Sequence, residues 1–177
     1  MKHHPLSQFR FCPVCGSEHF AASSEKSNRC ADCGFEFFLN PSGAYVAFII
    51  DDQGRLLVTR RDREPAFGTL DLPGGFADIG ETAEQGVARE VKEETGLDVV
   101  SARYLFTIPN IYLYSGLEIP TLDLFFRCEV ADISRLHAAD DAAECLWLAP
   151  CDIHPEDFGL HSIRSGVERW LRHTANS

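Results

Sequence analysis

The chain has 177 residues, of which 45% are hydrophobic, and a formal net charge of -11. This length accommodates one well-packed domain with a small additional unit, but not two full-sized domains. The acidic balance excludes a broad basic surface that would bind a nucleic-acid backbone without selectivity. We therefore expect no nucleic-acid partner, and any polyanionic ligand must be met locally by a few arginines or by bound cations.

The apolar segments of the sequence are short. None approaches the roughly 20 residues that a membrane-spanning helix needs. Residues 1–5 lack the apolar stretch of a secretory signal. We therefore expect a soluble, cytoplasmic protein without a membrane partner. The sequence leaves open whether it is a monomer or a homodimer.

Four of the seven cysteines form two Cys-x-x-Cys pairs near the N-terminus, and a glycine follows each pair. In a reducing compartment such pairs indicate a metal site in preference to disulfides. Four thiolates favour tetrahedral Zn²⁺ and leave no coordination position for water, so we predict a structural zinc ribbon over residues 9–38. The alternative, a ribbon that contacts DNA, predicts clustered basic residues, and these are scarce here. The predicted zinc ligands are Cys12, Cys15, Cys30 and Cys33, whereas Cys128, Cys145 and Cys151 are expected to be buried free thiols.

The segment after the cysteines begins with a predicted linker over residues 40–43. A run of apolar residues predicts a buried strand at 44–50, and a second strand is predicted at 55–60. The turn signals at 51–54 lie between them, so the two strands are predicted to form a hairpin. Further strands are predicted at 99–106, 111–114, 122–130 and 145–148, and a closing helix at 162–173.

A helix with clear signals at both ends is predicted over residues 83–95. Thr82 and Gln85 have the spacing of a capping box, and Gly96 suits a left-handed C-terminal position. Within this helix Glu90, Glu93 and Glu94 stand at i, i+3 and i+4, which places the three carboxylates within about 100° of arc.

These three carboxylates repel one another, at a cost of roughly 0.2 to 0.5 kcal/mol per pair in an exposed helix. Val87 and Val91 lie beside them, so the acidic group borders the buried face of the helix. A solvated acidic face is the alternative, but bound Mg²⁺ or Mn²⁺ explains the position better because hard cations take oxygen ligands and cancel the repulsion. Just upstream, Gly75 offers a backbone carbonyl to such a metal, and Glu81 with Arg89 could link loop and helix.

Taken in order, Gly75, five residues, Glu81, seven residues and the segment from Arg89 to Leu97 resemble the signature of the Nudix hydrolases at every specified position. The resemblance implies an α/β fold, a Nudix α/β/α sandwich with a mixed sheet, over residues 42–177. It implies that Mg²⁺ is bound by the three glutamates, with the Gly75 carbonyl as a further ligand, and that Arg89 and Glu81 are structural. The family hydrolyses nucleoside diphosphates linked to another moiety.

For the reaction, metal ions would neutralise the diphosphate oxygens and activate a water, while a carboxylate takes the proton. Glu93 and Glu94 are candidates for this base. Asp140, Asp141 and Glu144 are others, because relatives often supply a base from the corresponding region. Arg60 and Arg61 end a strand near the loop and could contact phosphate, and the predicted stacking surfaces for a base are Phe76, Tyr112 and Tyr114.

A four-cysteine ribbon before a Nudix domain is similar to the arrangement of the NADH pyrophosphatases. Of that subfamily's signature after the Nudix box, the stretch 107–115 keeps only Pro109 and Ser115, with Tyr112 in place of a phenylalanine. We predict a nucleotide-type substrate such as ADP-ribose or an NAD(H)-like dinucleotide, with AMP as a product. The alternatives are a nucleoside triphosphate pyrophosphohydrolase of the same fold and a non-catalytic, nucleotide-sensing regulator.

Overall fold

The computed structural model describes residues 4–139 and 142–174. The N-terminal part contains three short antiparallel strands, β1 (Phe20–Ser24), β2 (Ser27–Cys30) and β3 (Glu36–Phe38). The remaining elements are β4 (Ser42–Ile49), β5 (Leu56–Arg61), β6 (Leu70–Asp71), β7 (Gly74–Phe76), α1 (Ala83–Thr95), β8 (Val99–Tyr114), β9 (Leu117–Val130), β10 (Ala142–Leu148) and α2 (His161–Thr174).

The N-terminal sheet has its own small core. Cys12, Phe20 and Cys30 are buried in it, with Phe35 packed against them. Residues 4–8 also belong to this unit, because the amide of Asn28 donates to the carbonyl of the fully buried Leu6. A side-chain hydrogen bond from Gln8 to the carbonyl of Gly116 connects the unit to the turn between β8 and β9.

Two sheets form the main domain. The first has the strand order β7-β4-β9-β8 and is mixed, because β4 and β9 run parallel whereas the other pairs are antiparallel. The second is antiparallel, in the order β10-β5-β6. The two helices pack on opposite sides of these strands, which is the predicted α/β/α sandwich.

Strand β4 contributes side chains to both hydrophobic clusters, one of which packs against α1 and the other against α2. Successive side chains of a strand point to opposite faces. Val46 and Phe48 therefore pack in one cluster with Val167 of α2, whereas Ala47 packs in a second cluster with Val87 of α1. Both clusters are fully or almost fully buried. None of the helices in the described ranges is long and apolar enough to cross a membrane.

Helix α1 has the predicted bounds. The hydroxyl of Thr82 accepts from the backbone N–H of Gln85, and the side chain of Gln85 accepts from the backbone N–H of Thr82. Gly96 ends the helix in the left-handed region, with φ 72°. The capping box and the C-terminal glycine are confirmed.

The predicted hairpin between the first two strands of the main domain is wrong. β4 and β5 meet only at a bridge between Ile50 and Leu56 and then enter different sheets. The linker before them is also shorter than predicted, because β4 already begins at Ser42. β4 pairs with β9, and β5 pairs with β10. These pairings with strands distant in the sequence outweigh the local turn.

The strands predicted at 99–106 and 111–114 are one continuous strand, β8. Pro109 does not interrupt it because β8 is the edge of its sheet, where a missing N–H costs no ladder bond. The prediction of buried thiols holds for Cys128 but is wrong for Cys151, which is exposed in the single helical turn Pro150–Asp152. Cys145 is half-buried.

Candidate active site and zinc site

A cavity of about 360 Å³ opens where both sheets and both helices meet. Gly74 and Gly75 of β7 line one side together with α1, and the ring of Phe76 lies on the other side with residues from β5, β6, β8 and β9. Several predicted site residues line this cavity together: Arg61, Gly75, Phe76, Arg89, Glu90, Glu93, Glu94 and Tyr112.

Arg89 organises the acidic wall. Its guanidinium donates two hydrogen bonds to Glu81, at 3.0 and 3.1 Å, and one to the backbone carbonyl of Phe76 at 3.2 Å. One of its nitrogens also donates to Glu90 at 2.8 Å and to Glu93 at 3.0 Å. A single cation therefore holds the loop before α1 and two carboxylates of the helix in fixed positions.

The pKa values of this group follow from these contacts. The hydrogen bonds from Arg89 lower the pKa of Glu81, and the carboxylates around Arg89 raise the pKa of its guanidinium. Burial raises the pKa of Glu90, although Arg89 partly opposes this. Glu90 is thus a carboxylate held in a poorly solvated position, where a further cation would favour its charged form.

The loop formed by Gly74 and Gly75 lies directly against the carboxylates of α1. The backbone N–H of Gly74 donates to Glu94 at 3.2 Å. A β-carbon at position 75 would lie 2.5 Å from the carboxylate of Glu90, so only glycine fits there without displacing it. The atoms of this wall that could bind a metal ion are carboxylate and carbonyl oxygens, which are the ligands that Mg²⁺ and Mn²⁺ prefer.

The opposite wall carries an ion pair and two aromatic rings. Arg61 pairs with the buried carboxylate of Asp71 and also donates to the hydroxyl of Tyr112 at 3.2 Å. The rings of Tyr112 and Phe76 meet edge to face, with centroids 5.3 Å apart. Burial raises the pKa of Asp71 against the effect of Arg61. This wall combines a fixed cation with aromatic surface.

Two buried aspartates in the cavity were not predicted from the sequence. Asp71 comes from β6, and Asp123 of β9 accepts hydrogen bonds from Thr121, Ser162 and Asn110. Each is a single acidic residue at an inward-facing position of an apolar strand. Burial of such a residue costs free energy unless it is hydrogen-bonded, so its position in the sequence could have indicated a functional role. Asn110, Thr121 and Arg63 also line the cavity and were not predicted.

Arg60, Tyr114 and Glu144 do not line the cavity. Arg60 donates to Glu144 at 3.1 Å and to the carbonyl of Gly68 at 3.0 Å, so this strand-end arginine is engaged elsewhere. Tyr114 is 61% exposed next to the turn between β8 and β9. The other two candidates for a base, Asp140 and Asp141, lie outside the described residues.

The four N-terminal cysteines converge on one point. Their sulfur atoms all lie within 4.8 Å of one another, and Cys12–Cys33 and Cys15–Cys30 are each 3.6 Å apart. A tetrahedral zinc site with Zn–S bonds of about 2.3 Å requires S–S separations of about 3.8 Å. A disulfide requires about 2.05 Å. The spacing of the four sulfur atoms therefore fits Zn²⁺ and not disulfides.

Comparison with known proteins identifies the family. The NUDIX domain model matches residues 40–171, and the chain belongs to this family. An ADP-ribose pyrophosphatase of Methanocaldococcus jannaschii is 44% identical over 138 residues, which cover 77% of this chain and 78% of that protein. A NUDIX hydrolase structure from Nitrosomonas europaea covers 95% of this chain and 93% of its own, with a TM-score of 0.75 and 23% identity.

A further relative extends through the N-terminal cysteines. The NAD-capped RNA hydrolase NudC of Stutzerimonas stutzeri is 34% identical over 167 residues, which cover 94% of this chain and 55% of that protein. This chain spans about half or less of the length of the NudC proteins that it matches.

Proposed function

We propose that the chain hydrolyses a diphosphate bond in a nucleoside diphosphate derivative, with ADP-ribose or an NAD(H)-like dinucleotide as substrate and AMP as a product. The observation that carries this proposal is the cavity itself. Three carboxylates of α1 face an arginine and two aromatic rings across one space. The identity to an ADP-ribose pyrophosphatase supports the choice of substrate.

Glu90, Glu93 and Glu94, with the carbonyl of Gly75, would hold Mg²⁺ or Mn²⁺. When bound, the metal would neutralise the diphosphate oxygens and lower the pKa of a water ligand. The role of Arg89 and Glu81 is to position the carboxylates, because their hydrogen bonds connect the loop to the helix. Glu93 or Glu94 accepts the proton of the attacking water.

The opposite wall would bind the rest of the substrate. Arg61 is oriented by Asp71 and presents charge to a phosphate, while Phe76 and Tyr112 offer surface for a base. Asp123 is a buried acceptor that could bind a ribose hydroxyl.

The N-terminal unit, residues 9–38, would hold one structural zinc ion and precede a hydrolase domain over residues 42–177. The tetrahedral spacing of the four sulfurs supports this division. We also propose a cytoplasmic location, which is supported by seven cysteines of which none forms a disulfide in the described residues.

A second candidate substrate is the NAD cap of an RNA. It is favoured by the similarity to a NAD-capped RNA hydrolase that extends across both the cysteine unit and the main domain. The net charge of -11 makes extensive contact with the RNA beyond the cap unfavourable.

The test is hydrolysis of ADP-ribose, NADH, NAD-capped RNA and nucleoside triphosphates with Mg²⁺, with products separated by chromatography. Heavy-oxygen water should place the label in a phosphate of one product. Glu93→Gln should abolish the reaction, whereas Glu84→Gln, on the exposed side of the same helix, should not. Faster cleavage of triphosphates than of every diphosphate-linked compound would replace this proposal with a triphosphate pyrophosphohydrolase. No cleavage of any compound would favour a nucleotide-sensing regulator.

A further inference from the structure

A second cavity, of about 350 Å³, lies between the C-terminal half of α2 and the strands β8 and β9. None of its lining residues lines the first cavity. Its size is within the range of small-molecule sites, roughly 300 to 1,000 Å³. The side chains that give it chemical character are Arg103, Arg127, Phe106, Arg169, Trp170 and His173.

Two of the arginines face each other across neighbouring strands. Arg103 of β8 and Arg127 of β9 are directly opposite in the strand register. Like charges at such positions destabilise a sheet. Within residues 4–139 and 142–174, no hydrogen bond or ion pair engages either guanidinium. Burial lowers the pKa of Arg127 and Arg103 lowers it further, although Glu129 and Cys128 oppose this. A positive pair of this kind is unexpected in a chain with a net charge of -11.

The same cavity has an aromatic wall. The guanidinium of Arg169 lies over the ring of Phe106, with its carbon 4.1 Å from the ring centroid. Trp170 stacks on Phe48, with centroids 6.2 Å apart and an angle of 21° between the ring planes. The cation–π contact limits the freedom of Arg169 and leaves its N–H groups available at the rim. Flat apolar surface and cationic donors therefore occur side by side.

We propose that this second cavity binds a small organic phosphate whose flat, aromatic body packs against Trp170 while Arg103, Arg127 and Arg169 bind the phosphate. Guanidinium groups bind phosphate oxygens with paired, charge-assisted hydrogen bonds. Such a ligand would neutralise the repulsion between the facing arginines of β8 and β9. The proposal does not rest on the hydrolytic function of the first cavity.

The probe is AMP, and the reporter is Trp170. The chain has two tryptophans, so Trp147→Phe leaves Trp170 as the single tryptophan, whose emission is recorded under excitation that does not reach the tyrosines. In metal-free buffer AMP should change its fluorescence saturably, whereas adenosine and inorganic phosphate should each bind more weakly. Arg103→Gln and Arg127→Gln should each weaken AMP binding about tenfold, since a hydrogen bond to a charged group contributes about 1.5 kcal/mol.

Arg172→Gln is the matched control. Arg172 lies on the last turn of α2, pairs with Glu168 at 4.0 Å and does not line the cavity, so its loss reports the effect of removing a positive charge outside the cavity. Phe76→Ala is the second control, and it should leave the AMP response unchanged because Phe76 lines only the first cavity, where it would contact the base. Thermal melting establishes that each variant is folded, and Arg103 is exposed enough to be replaced if Arg127→Gln does not fold.

Three results would overturn the proposal. Equal weakening in Arg172→Gln and Arg127→Gln would show long-range attraction instead of a site. A response lost in Phe76→Ala would place AMP in the first cavity. A dimer that dissociates when Arg127 is replaced, with no response to AMP, would assign the arginines to an interface between two copies of the chain.

Discussion

Gly75 lies so close to Glu90 that any side chain at position 75 would occupy the space of its carboxylate. An added β-carbon would lie 2.5 Å from the carboxylate atoms. Because these atoms end a flexible side chain, Gly75→Ala should displace Glu90 without unfolding the domain. We expect turnover to fall by about 10²-fold, the cost of moving a catalytic group by about 1 Å, and the Mg²⁺ concentration for half-maximal rate to rise.

The matched control is Gly43→Ala, because a β-carbon there meets only the β-carbon of Ala77, at 3.2 Å. Steady-state rates over a Mg²⁺ titration compare the two variants. If Gly75→Ala reacts at the wild-type rate at limiting Mg²⁺, the assignment of Glu90 as a metal ligand is contradicted.

Glu93→Gln should lower turnover by orders of magnitude while the fold is retained, since it removes a metal-binding charge. The side chain of Glu93 is 47% exposed and its hydrogen bond is to Arg89, which keeps its hydrogen bonds to Glu81 and Glu90. The free energy of unfolding without metal should therefore change by no more than about 0.5 kcal/mol. Glu84→Gln is the control for charge on the same helix, and unchanged turnover of Glu93→Gln at saturating Mg²⁺ would contradict the assignment.

The cysteine unit should contain about one zinc ion per chain after purification without chelator. Cys12→Ser or Cys30→Ser should release it and unfold the N-terminal sheet, because both side chains are buried in its small core. Hydrolysis should survive in part, since the first cavity is lined entirely by the main domain. Cys151→Ser, at an exposed cysteine outside the cluster, is the control. Elemental analysis that finds no zinc in the wild type would refute the site.

Asp51 should make stability depend on pH in acid. Its carboxylate is 2% exposed, and although burial raises its pKa, hydrogen bonds from Arg55 and from the backbone N–H of Gln53 hold the pKa below its ordinary value. A lowered folded-state pKa stabilises the fold above the unfolded pKa, about 3.9, and this contribution is lost as the pH falls through the folded value.

Asp51→Asn should therefore lower the free energy of unfolding by about 1 kcal/mol at neutral pH, and the difference from the wild type should shrink in acid. Urea unfolding at several pH values measures this. Asp52→Asn, at the exposed neighbour, should have little effect at any pH. An Asp51→Asn deficit that does not shrink as the pH falls below the unfolded pKa of about 3.9 would assign the loss to side-chain geometry instead of charge.

The sequence predicted those features of the fold that are determined by interactions between residues close together in the chain. Helix α1 was predicted to the residue because Thr82, Gln85 and Gly96 act within one turn of its ends. The hairpin between β4 and β5 was predicted wrongly because the partners of those strands are distant in sequence. Edge position, which decides whether Pro109 interrupts a strand, likewise depends on strand order and not on the residue itself.

In the candidate site, too, the residues grouped by local periodicity were predicted, whereas those brought together by strand pairing were not. The three glutamates could be placed together because helical periodicity alone puts them on one face. Arg60 and Arg61 could not be distinguished, since adjacent strand residues point to opposite faces and only the register shows which one enters the cavity. Here Arg61 faces Asp71, whereas Arg60 faces Glu144 beside a bulge in β10. Asp71 and Asp123 were missed because only the packing of the two sheets brings them together.

Gly166 lets α2 approach the sheet, so its replacement should destabilise the domain even though alanine is the better helix former. A β-carbon at position 166 would lie 2.4 Å from the buried ring of Phe125. Gly166→Ala gains about 1 kcal/mol of helix propensity but overpacks a full core, which typically costs about 1 to 3 kcal/mol. We expect a net loss of stability in thermal and urea unfolding. Ser165→Ala, at the neighbouring position, isolates the propensity gain. Adding Phe125→Leu to Gly166→Ala should recover stability relative to the sum of the single changes, as contacting residues couple. Additive effects would show that α2 shifts away from the sheet to relieve the contact.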